Sequence, residues 1–151
     1  MASETATRTD VRTRTTLEPW QAGVVGGVGG GVVFGVLLSL LAPEMLTGMI
    51  PAMYGLEGGL AGWIIHVSHG AVLGVVFATL LTVAGKADLS VLAGGVVGVG
   101  YGIVVWATLA VIVMPVWLGM AEMVPNLDMG SLVGHALYGL VLGVAYAVLS
   151  R

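Results

Sequence analysis

The sequence predicts an all-α integral membrane protein, a bundle of four transmembrane helices made of two tandem helical hairpin repeats in the same orientation. Hydrophobic residues make up 58% of the 151 residues and charged residues 9%, against roughly 45–50% and 25% in soluble domains. Four apolar runs are each long enough to cross a bilayer. The two halves of the apolar region also resemble each other, which indicates an internal repeat.

The four apolar runs follow a polar start. Residues 1–20 contain six Thr and show no apolar periodicity, so they are predicted to be a disordered tail. Residues 21–151 are predicted to form the membrane domain, with spans at about 22–42, 60–84, 89–114 and 131–150. The first span is too long for the apolar core of a signal peptide. The net charge of −3 argues against nucleic-acid binding, and the absence of cysteine excludes thiolate metal sites.

The basic residues all lie on one side of the predicted spans, and they are Arg8, Arg12, Arg14, Lys86 and Arg151. The loops on the opposite side, residues 43–59 and 115–130, carry four carboxylates and no basic residue. The positive-inside rule therefore predicts a multi-pass protein of the cell membrane with both termini in the cytoplasm.

The repeat is visible when residues 23–43 are laid on 95–115, an offset of 72 that gives nine identities in 21 positions. Residues 66–80 laid on 135–149 match His66 with His135 at an offset of 69. The two copies are about 22–84 and 89–150. Because each copy crosses the membrane twice, both start on the same side, and equivalent residues are expected at equal depth.

All three histidines, His66, His69 and His135, fall inside predicted spans, where ionisable side chains usually mark a functional site. His66 and His135 are repeat equivalents, so we expect their imidazoles to face each other. Two opposed imidazoles suit the axial positions of a haem iron. Each histidine is followed by glycine at i+4 and i+8, which leaves a smooth strip for a porphyrin; these are Gly70, Gly74, Gly139 and Gly143.

In these features the chain resembles, in pattern, the four-helix membrane cytochromes of the b type. The resemblance implies haem b ligated by His66 and His135 near the outer face, in an electron-transfer protein or a haem-carrying subunit of a respiratory complex rather than an enzyme. His69 and its repeat counterpart Tyr138 are expected to hydrogen-bond a haem propionate or a second ligand. The expected partners are the lipid bilayer, a larger respiratory complex, a quinol or a small redox protein, and homo- or hetero-oligomers.

Three other interpretations remain open. Another metal could bind between His66 and His135. Copper could bind through the methionines in the outer loops or at their edge, Met45, Met49, Met53, Met114, Met120, Met123 and Met129, because thioethers favour Cu(I). The chain could instead be a cofactor-free accessory subunit whose glycine-rich helices dock onto a larger complex. The sequence contains no phosphate loop, HExxH or GxSxG motif, which argues against ATPase and hydrolase activity.

Overall fold

The computed structural model describes residues 17–150, and these are helical throughout apart from short connections. Four helices are long and apolar enough to cross a membrane: α1 (Pro19–Leu41), α2 (Gly59–Val83), α3 (Val91–Trp117) and α4 (Met129–Leu149). The prediction of four spanning helices is confirmed, and the chain is a multi-pass membrane protein. Residues 1–16 of the predicted tail lie outside the described residues, and α1 begins at Pro19.

Local polar groups set the ends of these helices. The side chain of Ser90 accepts a hydrogen bond from the backbone N–H of Ala93 (3.1 Å), and Asp128 accepts one from Ser131. Each acceptor satisfies a backbone donor that has no partner within the first helical turn. After α2 the chain turns at Gly85, whose φ of +66° lies in the left-handed region that glycine adopts without steric strain.

Two prolines shape the connections between paired helices. Pro51 and Pro115 have no N–H to donate to the carbonyls four residues earlier, those of Thr47 and Val111. Thr47 instead accepts a hydrogen bond from Gly58 N–H (2.9 Å), and Val111 accepts one from Asn126 N–H (3.1 Å). Each loop is therefore tied back to a carbonyl that its proline leaves free. Both regions contain π-helical segments, Met45–Met49 and Trp106–Val113, which the apolar pattern does not predict.

Glycines allow close approach within each pair of helices. Four pairs of glycines face each other across these helix pairs, and a Cβ on any of the eight would contact the carbonyl group of the glycine facing it. Such small-residue contacts are how helices pack in lipid, where burial of apolar side chains adds little. Within each pair, residue numbers rise along one helix where they fall along the other, so the two helices are antiparallel. The facing pairs are Gly23 with Gly74 and Gly27 with Gly70 between α1 and α2, and Gly94 with Gly143 and Gly98 with Gly139 between α3 and α4.

The two pairs meet mainly between α1 and α4. Gly26 and Gly30 of α1 lie against Leu142 and Tyr138 of α4. Helices α2 and α3 are joined by side chains instead. Tyr101 of α3 donates a hydrogen bond to the carbonyl of Leu73 on α2 (2.7 Å). The bundle is therefore held by glycine contacts along three helix pairs and by a tyrosine across the fourth.

The surface of the spans suits a lipid environment. The hydroxyl groups of Ser39, Ser68, Thr79 and Thr108 donate to carbonyls four residues earlier in their own helices, so none requires water. The other exposed positions of the spans are mostly apolar; large examples are Leu40, Leu60, Ile64, Val72, Leu92, Val96, Val104 and Val133. The bundle therefore presents an apolar surface to the bilayer.

Candidate functional site

The three histidines lie at one end of the bundle, near the start of α2 and of α4. The two loops that precede these helices, residues 42–58 and 118–128, are at the same end. We call this the histidine end. These loops carry Glu44, Glu57, Glu122 and Asp128 and no Lys or Arg.

His66 and His135 converge on one aromatic ring. The ring centroid of Phe34, on α1, lies 5.3 Å from that of His66 and 4.9 Å from that of His135, and both contacts are edge-to-face. Phe34 is buried, with 6% of its surface exposed. A Cβ on Gly134 would collide with the same ring. The two histidines are thus brought to one place in the bundle, with Phe34 packed against both.

Each of these imidazoles is also hydrogen-bonded to a backbone carbonyl. His66 donates from Nε2 to Gly31 on α1 (3.1 Å), and His135 donates from Nδ1 to Ser131 on its own helix (2.8 Å). A carbonyl oxygen only accepts, so these ring nitrogens carry the protons. Nε2 of His66 is therefore directed at α1 and is not free to coordinate a metal, whereas Nε2 of His135 is.

The glycines that follow the two histidines are used for helix packing. Gly70 and Gly74 face Gly27 and Gly23 of α1, while Gly139 and Gly143 face Gly98 and Gly94 of α3. No side of this strip is left bare for a porphyrin. Together with the Phe34 ring, this packing leaves no space for a porphyrin between His66 and His135 as the residues are placed. Haem ligation by this pair is not tested by the structure and stays a prediction.

Tyr138 and His69, which the sequence comparison aligns with each other, have different surroundings. Tyr138 is buried and donates to the carbonyl of Gly70 on α2 (2.8 Å), a bond worth roughly 0.5–1.5 kcal/mol. His69 is hydrogen-bonded through Nε2 to the hydroxyl of Tyr54 (2.7 Å). Tyr138 therefore links the two helix pairs, and His69 belongs to the surface of the histidine end.

The described residues contain no group of three or more His, Cys, Asp or Glu side chains placed to hold a metal ion. Among the methionines, Met45 and Met49 belong to a π-helical turn, and Met53 follows the short helix Ile50–Ala52. These three methionines recur every fourth residue, which in one continuous α-helix would place them on one face. The segment is not one continuous α-helix, so the spacing does not define such a face. Copper binding through the methionines stays a prediction.

Sequence reasoning missed two residues of this region, Phe34 and Tyr54. Phe34 is one of only two phenylalanines in the chain and lies within a glycine-rich span, so its size among small neighbours was the available signal. No pattern in the sequence indicated Tyr54, because its contact with His69 depends on how the loop between α1 and α2 folds.

Comparison of the chain with protein-family models, with curated proteins and with solved structures finds no significant match.

Proposed function

We propose that this chain is a small structural subunit of a larger membrane complex, with no cofactor in the interior of its helix bundle. The observation that carries the proposal is the packing around Phe34. The ring fills the place where His66 and His135 converge, and the glycines below them are in contact with neighbouring helices. With this interior closed, the lipid-facing helix surface and the histidine end are what the chain offers to other molecules.

The size of the chain supports the same conclusion. Four spans take up most of the 134 residues from 17 to 150, and the loops between them are short. Little water-exposed surface is available for an independent activity. An apolar helical partner within the bilayer could pack against exposed helix faces as these four helices pack against one another.

We also infer that the two helix pairs are repeats of one hairpin. The facing pairs Gly23–Gly74 and Gly27–Gly70 recur as Gly94–Gly143 and Gly98–Gly139. The contacts correspond at an offset of 71 in the first helix of each pair and of 69 in the second. The offset of 69 is the one in the sequence comparison, whereas the offset of 71 is one residue less than the 72 found there. At the offset of 71, Tyr101 takes the place of Gly30. Where Gly30 lets α1 approach α4 closely, Tyr101 reaches α2 through its hydroxyl, and α2 and α3 make far fewer close contacts.

The orientation rests on the charges of the sequence. The loops at the histidine end are acidic and lack basic residues, and Lys86 lies in the connection at the opposite end. We propose on this basis that the histidine end faces outward from the cell membrane and that both termini are cytoplasmic.

The test is the size and composition of the assembly in the native membrane. Affinity purification of the full chain in a mild detergent should recover a larger complex in fixed stoichiometry. Purification through the partner should recover this chain in return. Deleting the chain should lower the amount of the assembled complex, because a structural subunit contributes to assembly.

A variant on an exposed helix face provides a matched probe. Gly100 lies on α3, and a Cβ placed there would meet no atom within 4 Å. Gly100→Leu should therefore preserve the bundle, and any loss of co-purification would identify α3 as a docking helix. A chain that migrates alone in mild detergent, and forms no cross-link to another subunit in native membranes, would contradict the proposal.

A further inference from the structure

A second group of aromatic and polar side chains lies at the histidine end, separate from the contacts around Phe34. Tyr54 is hydrogen-bonded to His69, and its ring centroid lies 5.7 Å from that of Trp117 at the end of α3. We call Tyr54, His69 and Trp117 the aromatic cluster. Its members come from a loop and from two different helices, so it bridges the α2–α3 side of the bundle.

The loop that carries Tyr54 is firmly held. The backbone N–H groups of Tyr54 and Leu56 both donate to the carbonyl of Pro51, at 2.9 and 3.0 Å. Pro51 is buried, and Leu46 is buried against the backbone of Gly62 on α2. Tyr54 is therefore held beside His69, as expected of a preformed binding site.

The aromatic cluster is accessible from outside the bundle. Tyr54 is 48% exposed and Trp117 is 54% exposed, while His69 is half-buried. Nε2 of His69 is engaged by Tyr54, but Nδ1 has no hydrogen-bond partner among the described residues. The cluster thus exposes two aromatic rings, and the partly buried imidazole beside them keeps one ring nitrogen without a hydrogen-bond partner among the described residues.

An apolar surface adjoins the aromatic cluster on α3. Ile112, Val113, Val116 and Trp117 line an open depression of about 330 Å³. These residues extend from Trp117 along the helix toward the middle of the span. A ligand with a polar ring and an apolar chain could place the ring at the cluster and the chain along this depression.

The negative charge of the loops at the histidine end favours a neutral membrane amphiphile over an anionic one. The neighbouring loops contain four carboxylates and no cation, so an anionic phosphate headgroup would be repelled. A neutral flat ring avoids this repulsion, can stack on the aromatic side chains and can hydrogen-bond to the imidazole. We propose that the aromatic cluster binds the headgroup of an isoprenoid quinone or quinol, with His69 Nδ1 bonding a ring oxygen.

The test is titration of the full chain, in mild detergent, with decyl-ubiquinone while tryptophan fluorescence is followed. We expect saturable quenching, whose amplitude falls in Trp117→Phe. His69→Phe should weaken the apparent affinity about tenfold, because it removes the hydrogen bond to the ring oxygen. Ser68→Ala is the matched control, since Ser68 neighbours His69 but bonds to Ile64 of its own helix, and it should bind normally.

The control outcomes separate specific binding from partition into the micelle. Quenching that rises without saturation, or that is unchanged in both His69→Phe and Trp117→Phe, would overturn the proposal. Displacement of the quinone by phosphatidylglycerol but not by phosphatidylcholine would also overturn it, because the ligand would then be an anionic lipid. If His69→Phe does not fold, the same titration is made with Trp117→Phe and Tyr54→Phe. Both variants should also bind the quinone more weakly than the unaltered chain.

Discussion

Replacing Phe34 with alanine is expected to destabilise the bundle by about 2–3 kcal/mol. Removal of a buried phenylalanine from a soluble core costs about 3–5 kcal/mol, of which part is the transfer of the ring into water. In a bilayer the separated helices leave the ring in lipid, so mainly the packing and cavity contribution remains. The free energy of unfolding, measured by SDS titration in mixed micelles with far-UV circular dichroism, checks this value.

A double-mutant cycle shows whether the loss comes from the ring itself. Gly134→Ala introduces a Cβ that collides with the Phe34 ring, so it should destabilise the native chain. In the Phe34→Ala background the same substitution should be nearly neutral, because the methyl group enters the space that the ring vacated. Equal effects of Gly134→Ala in both backgrounds would mean that Phe34 does not pack between α1 and α4 as described.

The glycine contacts predict a second large effect that depends on position within one helix. Gly98→Ala is expected to destabilise the protein by about 1–3 kcal/mol, because its Cβ would collide with the carbonyl of Gly139 and separate α3 from α4. Gly100→Ala, two residues further along, should be neutral or stabilise the helix by up to about 1 kcal/mol. The same SDS titration measures both variants.

The pair of variants has the same chemistry, the same helix and almost the same depth, so the comparison isolates helix contact. Gly139→Ala should reproduce the loss from the opposite helix, since its Cβ would meet the carbonyl of Gly98. If Gly98→Ala and Gly100→Ala proved equally stable, the close contact of α3 with α4 would be wrong.

The spans could be predicted closely from the sequence. The run at 60–84 corresponds to α2, Gly59–Val83, and the run at 131–150 corresponds to α4, Met129–Leu149. Backbone polar groups must be satisfied within lipid, and a long apolar run does so only as a helix. The largest differences are at the ends of α1 and α3, where Pro19 begins the first helix earlier and Trp117 ends the third later.

The surroundings of the histidines could be predicted only in part. The sequence comparison predicts that His66 and His135 approach one site, and in the structure both imidazoles contact the ring of Phe34. The spacing of Gly70 and Gly74 is equally compatible with a bare face for a ligand and with close contact to another helix. Which of the two occurs depends on the register of α1 against α2, and no local sequence pattern specifies it.

The hydrogen bonds of the histidines were beyond prediction for the same reason. Nε2 of His66 bonds Gly31, which is 35 residues earlier in the chain, and the contact of His69 with Tyr54 depends on a loop that includes a π-helical turn. The haem prediction relied on residue type and depth, which the sequence contains. It also requires an open space between the two imidazoles, which depends on tertiary packing and which the Phe34 ring occupies in the structure.

The most direct test of a cofactor-free interior is the absorption spectrum of the full chain purified in mild detergent from its own membranes, before and after addition of haem. The packing around Phe34 predicts no Soret band from bound haem and no sharp low-spin bands on reduction, with or without added haem. Low-spin bands that disappear in His66→Ala and in His135→Ala, but persist in Ser68→Ala, would contradict it and would establish haem ligation by that histidine pair.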